Sequence, residues 1–135
     1  MNIYLIDTSV WVNYFKSNHT AASLFLKNNT SNIIIAVCPV IIQEVLQGIV
    51  KDRDFTAIND YLNNLTKLNG NPYEFAYEAA TLYRNLRKQG ITIRKPNDCL
   101  IAAYAIKHDI TLLHDDRDFD LLAKHSSLKI AQFNN

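Results

Sequence analysis

The sequence predicts an α/β domain, a three-layer α/β/α sandwich built on a central, mainly parallel sheet. Three observations carry that expectation. Short apolar runs, Ile3–Ile6, Ile33–Val37 and Thr111–Leu113, alternate with longer stretches of helical spacing, and parallel neighbours require crossovers of that kind. The β-branched run Ile33–Val37 is apolar without interruption, as a strand covered on both faces should be. There is also no internal repeat, no low-complexity linker and no visible boundary, so residues 1–135 read as a single domain.

In chain order, Ile3–Ile6 is the first strand and stops at Asp7. A helix starts near Ser9, with Val10, Trp11, Tyr14 and Phe15 on one apolar face. A second short helix spans about residues 20–27, with Thr20 as N-cap and Ala21, Leu24 and Phe25 on one side. After the second strand, Pro39 suits the first turn of a helix running to about Gly48. Ile58, Tyr61, Leu62 and Leu65 recur at helical intervals within about residues 55–65. The longest helical pattern is 72–89, opened by Pro72, closed by Gly90, and striped with Phe75, Ala79, Leu82, Tyr83 and Leu86. Pro96 begins a helix through about Lys107; Thr111–Leu113 is a short strand, 119–123 a helical turn or two, and 128–131 a last strand.

A chain of 135 residues with 48% hydrophobic content can bury a proper core. No apolar stretch approaches the roughly 20 residues of a membrane span, and residues 1–10 read as a strand running into an acid rather than as a signal. Cys38 and Cys99 lie far apart in apolar surroundings and read as reduced core thiols. The expectation is a cytoplasmic protein. A net charge of +1 announces no partner, but its distribution is uneven. Arg84, Arg87, Lys88, Arg94 and Lys95 form a basic band, whereas Asp109, Asp115, Asp116, Asp118 and Asp120 cluster with only Arg117 opposing them. A basic band beside an acidic pocket suits a phosphate-bearing polymer, and Arg84, Arg87 and Lys88 are candidate contacts to its backbone.

Four acids stand where elements begin or end. Asp7 follows the first strand, Glu44 interrupts the apolar run PVIIQEVLQGI, Asp98 opens PNDCLIAAYAI, and Asp116 follows ITLL. In open parallel sheets, sites gather at the carboxyl ends of the strands. Asp7 and Asp116 fall just past such ends, and the helices carrying Glu44 and Asp98 start from the same edge if Pro39 and Pro96 mark their first turns. Convergence is therefore predicted by topology. Crowded carboxylates raise each other's pKa unless a cation offsets them, and oxygen-only ligands suit magnesium or manganese. Such an ion acidifies water and polarises a phosphoryl oxygen, both useful in phosphodiester hydrolysis. The N-terminus of the Asp98 helix should favour that carboxylate, and Ala102 and Ala105 should let the helix approach the sheet.

The stretches IDTSVWVNYF, PNDCLIAAYA and LLHDDRDFDLLA, with Glu44 between them, resemble a PIN domain, and within it the VapC type, the toxin half of toxin–antitoxin pairs. The resemblance runs the whole length of the chain. It implies a magnesium-dependent endoribonuclease, a homodimer, neutralised by a small antitoxin that wraps it and can insert a basic side chain into the acidic pocket. By position, Asp7 and Asp98 match the principal metal-ligand aspartates and Glu44 the glutamate between them. Asp116 matches the fourth acid best, with Asp115 and Asp118 close enough to leave the register open. Ser9 matches a hydroxyl near the metal's water shell, and His114 stands where relatives carry Thr or Ser.

Each acid also has a plainer reading. Asp7 is a good helix N-cap, Glu44 can face solvent, Asp98 can be a first-turn charge, Asp116 can belong to a turn, and Asp118 can cap the last helix. The histidines lack metal-ligand spacing, and Ser9 lacks the glycines of a nucleophile elbow. An aspartyl-phosphate mechanism of the haloacid-dehalogenase kind wants a second acid where Ser9 stands, and a phosphorelay receiver wants an acidic pair and a late Lys. Neither explains Asp98. The alternative from a different class is a non-catalytic PIN-like module that binds RNA or protein. Trp11 and the tyrosines read as core or dimer contacts, and Tyr73, Phe75 and Tyr77 read first as core.

Overall fold

In the computed structural model, which describes residues 1–133, five parallel strands are ordered β3-β2-β1-β4-β5. The strands are β1 (Ile3–Ile6), β2 (Ile34–Val37), β3 (Thr66–Lys67), β4 (Thr111–Leu113) and β5 (Lys129–Ile130). The helices are α1 (Thr8–Phe15), α2 (Ala21–Asn29), α3 (Pro39–Gln47), α4 (Asp52–Asn63), α5 (Pro72–Lys88), α6 (Asn97–Lys107) and α7 (Asp118–Lys124). The chain leaves β1 in one direction through β2 to β3, then returns to place β4 on the other side of β1. Crossovers leaving β1 in opposite directions, each following the usual right-handed rule, put helices on both faces, which gives the expected three-layer α/β/α sandwich. Among the described residues no helix is long and apolar enough to cross a membrane.

This order creates a topological switch point between β1 and β4, where the two connections leave in opposite directions. Ligand clefts form there in open parallel sheets. The register pairs Ile6 with Leu113, and the Asp7 amide donates to the Leu113 carbonyl at 2.9 Å. The segments that follow β1 and β4 therefore emerge side by side. Asp7 and the 114–118 loop share one edge of the sheet because of that register.

The core agrees with the pattern in most places. Leu5, Ile6, Val10, Trp11, Ala36, Val37, Ile41, Leu112 and Leu113 are buried, as are Phe75, Ala79 and Leu86 of the α5 stripe. Trp11 stacks on Phe15 and meets Tyr14 and Tyr61 edge-on, so these aromatics pack together rather than stand free. α6 is buried on nearly every side; Ala102, Ala103 and Ala105 let α5, α3 and α7 all pack against it. Gly90, with φ of 81°, closes α5 as expected, and the Ile91 amide beyond it reaches the Leu86 carbonyl. The Cys38 and Cys99 thiols are free and buried, and burial pushes them up to about 12 and about 11. Neither is poised as a nucleophile.

Several boundaries and faces differ from expectation. The two-residue β3 has no hydrophobic signature, since Thr66 and Lys67 are both exposed at the sheet edge. α4 starts at Asp52, three residues before the expected 55, because Asp52 and Asp54 occupy the first turn, where the helix dipole favours them. In α2 the Thr20 cap is present, but the buried face is Ala22, Ser23 and Leu26, with Phe25 packed against the core partly buried, whereas Ala21 and Leu24 are exposed. Ser23 turns inward because its hydroxyl accepts from the Thr20 amide and donates to the Asn18 carbonyl. That reciprocal capping box rotates the helix. Phe75 is core, stacked on Tyr104, whereas Tyr73 and Tyr77 face solvent.

Candidate active site

Asp7 is positioned by the abrupt end of β1. It is the N-cap of α1, with Oδ2 accepting from the Ser9 amide at 3.0 Å and from the Ser9 hydroxyl. The capping role and a site role are divided between its two oxygens, since Oδ1 is buried and has no donor. Ser9 does more than hold Asp7, because its hydroxyl also accepts the Asp115 amide at 3.0 Å. One hydroxyl thus links the β1–α1 turn to the loop after β4.

Asp98 lies in the first turn of α6 and is only 2% exposed. Its Oδ2 is likewise buried without a donor. Burial, aided by the charges of Asp7, Asp116 and Glu44 against the opposing pull of Lys95, pushes the carboxyl up to about 7. The α6 N-terminus was expected to favour the ionised form, but a helix end contributes only about 0.3–1 kcal/mol at ordinary sites, and desolvation outweighs it. Burial also raises Asp7, partly offset by the Ser9 hydrogen bonds, with Glu44 raising it further. Glu44, half-buried on α3, accepts from the Thr8 hydroxyl at 2.8 Å. The four acids expected to meet are thus electrostatically coupled across four different segments.

Asp116 and Asp118 are handled differently. Asp116 Oδ1 accepts from the Asp118 amide at 3.0 Å and from Arg94 Nη2 at 3.1 Å, and Oδ2 from Lys95 Nζ at 2.9 Å. Partial burial works to raise Asp116, but the Asp118 amide and the two cations together hold it below the usual carboxylate range. Asp118 is 5% exposed and accepts from both the amide and Nε of Arg94. Asp118 does not cap α7; Asp116 provides that contact. Asp115 turns away to Asn13 and Thr20. His114 Nδ1 accepts the Asp116 amide while Nε2 sits 3.2 Å from Asp120, which requires the tautomer protonated on Nε2. The departure at His114 is therefore a structural support for the acidic loop.

Carboxylate oxygens of Asp98, Asp116 and Asp118 lie within 4.8 Å of one another. That trio is the tightest acidic grouping among the described residues, and Asp7 borders it rather than belonging to it. Two buried oxygens with no donor, on Asp7 and Asp98, need a cation or a proton to be tolerated. An all-oxygen donor set of this kind can hold a hard divalent metal ion. Sequence reasoning left Asp118 open between a helix cap and the fourth acid, and treated Arg94 and Lys95 as part of a general basic band. The signal for both was their spacing: Arg94 and Lys95 fall immediately before the turn that presents Asp98.

Beside the trio, a groove of about 740 Å³ opens between α3, α5 and α6, with Gln43, Arg84, Pro96 and Asn97 among its lining. Arg84 thus lines the same groove as Pro96 and Asn97, the two residues before Asp98. Arg87 stacks over Tyr83 at 5.7 Å and, with Lys88, is exposed in the last turn of α5. Neither Arg87 nor Lys88 is brought to the acids by the described contacts.

A doubly wound parallel sheet with acids gathered at its switch point defines an α/β class with a candidate cation site at the strand ends. The sequence pattern of the PIN domain matches residues 4–125, and the chain belongs to the PIN-domain family. It is 39% identical over 131 residues to a VapC ribonuclease of Mycobacterium bovis and to ribonuclease VapC11 of Mycobacterium tuberculosis, covering 96% of this chain and 98% of each relative. In fold it is similar to the VapBC2 structure from Rickettsia felis bound to a promoter DNA fragment, with a TM-score of 0.72 at 19% identity, covering 96% of this chain and 97% of that one. It is similar also to VapBC-5 of Mycobacterium tuberculosis, a member of a toxin–antitoxin family, with a TM-score of 0.69 at 20% identity, covering 98% of this chain and all of that one.

Proposed function

We propose that the chain, as a single domain, is a magnesium-dependent endoribonuclease toxin of the VapC type, neutralised by a cognate antitoxin. The observation that carries this reading is the pair of buried, donorless oxygens on Asp7 and Asp98 beside the Asp98–Asp116–Asp118 trio. In the proposal Asp7, Glu44, Asp98 and Asp116 are the catalytic acids, Asp7 and Asp98 hold the metal, and Asp118 joins Asp98 and Asp116 as a further ligand. Magnesium, for which manganese can substitute, would supply charge neutralisation, an acidified water and polarisation of the phosphoryl oxygen.

The protein's own groups define the rest. Ser9 keeps one Asp7 oxygen occupied so that the other stays directed into the bowl. Glu44, held by Thr8 at the half-buried rim, is the group we assign to orient water and take its proton. Arg84 at the groove, with Arg87 and Lys88 along α5, supplies positive charge for the RNA backbone. The 39% identity to named VapC ribonucleases supports the ribonuclease reading, and likeness to VapBC structures supports an antitoxin partner. We read the protein as cytoplasmic and homodimeric.

The test is RNA cleavage by antitoxin-free protein with magnesium, against chelator and against Asp7→Asn and Asp98→Asn. Wild type should cut internal linkages only with the metal, and both variants should lose at least about a hundredfold in rate, the loss expected when a main electrostatic contact is removed. Equal cleavage by wild type and both variants would sink the assignment. RNA binding without cleavage under every metal condition would point instead to a non-catalytic PIN-like binding module.

A further inference from the structure

The acid bowl already has a cation at its edge, and the protein supplies it. Lys95 leaves the loop before α6 and sets Nζ 2.9 Å from Asp116 Oδ2. Its charge also acts on Asp98 and Asp7. Arg94 bridges Asp116 Oδ1 and Asp118 Oδ2, at 3.1 Å each.

The two cations are held differently. Arg94 is fixed to Asp118 through both its backbone amide and its side chain. The Lys95 carbonyl accepts the Asp98 amide at 2.9 Å, but its side chain reaches the acids through the ammonium alone, on a flexible stem that is 55% exposed. Asp116 Oδ1 is satisfied by the Asp118 amide as well as by Arg94, so Oδ2 is the oxygen whose donor is free to leave. A metal ion drawing on Asp116 Oδ2 and an ammonium 2.9 Å from it compete for the same lone pairs. Their charges also repel.

We infer that Lys95 is a built-in counter-ion of the acid bowl, which stabilises the metal-free protein and must be displaced from Asp116 when a divalent cation binds. Lys95 thereby sets the metal concentration at which the site fills. Arg94 stays in place and keeps Asp118 and the 114–118 loop aligned throughout. This rests on the reading of the bowl as a cation site.

The experiment is manganese titration by calorimetry of wild type, Lys95→Met and Lys95→Arg, with thermal melts in chelator and at saturating manganese. Methionine keeps most of the stem and removes the charge. Lys95→Met should bind manganese roughly two- to fivefold more tightly, the range expected of one exposed ion pair. It should melt below wild type in chelator and lose that deficit when manganese is saturating, while Lys95→Arg stays near wild type on both measures. Equal or weaker manganese binding by Lys95→Met, or equal melting in chelator, overturns the counter-ion role. If wild type and Asp98→Asn both take up no manganese, the cation site itself is refuted, and Lys95 with it. Normal uptake by wild type that Lys95→Met leaves unchanged refutes only the part played by Lys95.

Discussion

Asp7 and Asp98, ninety-one positions apart in the chain, reach the same edge of the sheet with the same defect: one buried carboxylate oxygen on each has no hydrogen-bond donor. Asp7 tolerates this in part through Ser9 on its other oxygen. Asp98 instead tends to keep its proton, rising to about 7 because burial disfavours the charge. Metal-free protein is therefore destabilised by the same charges that a divalent cation would use.

A pH dependence follows from Asp98. The unfolded chain releases this proton near 3.8, the folded chain at about 7. Between those values the folded state binds more protons, so the contribution of Asp98 is fully present below about 3.8 and is lost as pH rises through about 7. In chelator, the stability of wild type relative to Asp98→Asn should fall by a few kcal/mol over that window, at about 1.4 kcal/mol per unit of pKa difference. Urea unfolding at a series of pH values measures it. A constant difference between the two proteins would show that Asp98 is ionised throughout. Manganese binding by wild type should strengthen over the same range, since proton and metal compete for one carboxyl.

Ser9 offers a second check, because one hydroxyl serves both Asp7 and the Asp115 amide. Ser9→Ala should cost about 1–2 kcal/mol in denaturant unfolding, the range of one or two lost hydrogen bonds to partly buried partners. It should also weaken manganese binding by loosening Asp7 against the 114–118 loop. Ser9→Thr should retain most of both. Unchanged metal affinity in Ser9→Ala would reduce Ser9 to an ordinary helix-start residue.

Gly70 tests the packing behind α6. A Cβ at that position would lie 2.8 Å from Phe75 Cζ, and Phe75 is itself pinned against Tyr104 with ring centroids 3.9 Å apart. Gly70→Ala should destabilise the fold by about 1–3 kcal/mol, through overpacking and through the φ of 156° that favours glycine there. Phe75→Leu in the same chain should recover part of that loss, giving a coupling energy in a double-mutant cycle. Strict additivity of the two changes would show that the ring is free to move aside.

The basic face of α5 makes a graded expectation. Replacing Arg84, Arg87 and Lys88 together by Ala should weaken RNA binding and flatten its salt dependence by up to about two units of log–log slope, at about 0.7 per phosphate contact on single strands. Arg84 should account for the largest single share, because it alone of the three lines the groove beside Asp98. An unchanged salt slope would assign all three to plain surface.

Much of the architecture was legible because it is written in local patterns. The apolar β1 and β2, the Thr20 cap, and the Pro72 and Gly90 bounds of α5 each depend on residues within one or two turns of one another. β3 was not legible, since two exposed residues carry no periodicity and pair only because β2 offers them an edge. The α2 face was misjudged for a related reason: a serine hydroxyl satisfied by local backbone groups is as buriable as an alanine, and hydrophobicity alone does not register that.

The candidate site divides along the same line. That Asp7, Glu44, Asp98 and Asp116 would gather was foreseeable, because strand ends and helix starts in a parallel sheet share an edge whatever the details of packing. Which acid of the 115–118 loop faces the bowl was decided by long-range contacts. Asn13 and Thr20 draw Asp115 outward, and Arg94 draws Asp116 and Asp118 inward. The same holds for how each carboxyl titrates. Spacing along a chain specifies where backbone turns fall, but burial and the position of neighbouring charges exist only once distant segments have packed, and those are what set a buried carboxyl's proton and its partner.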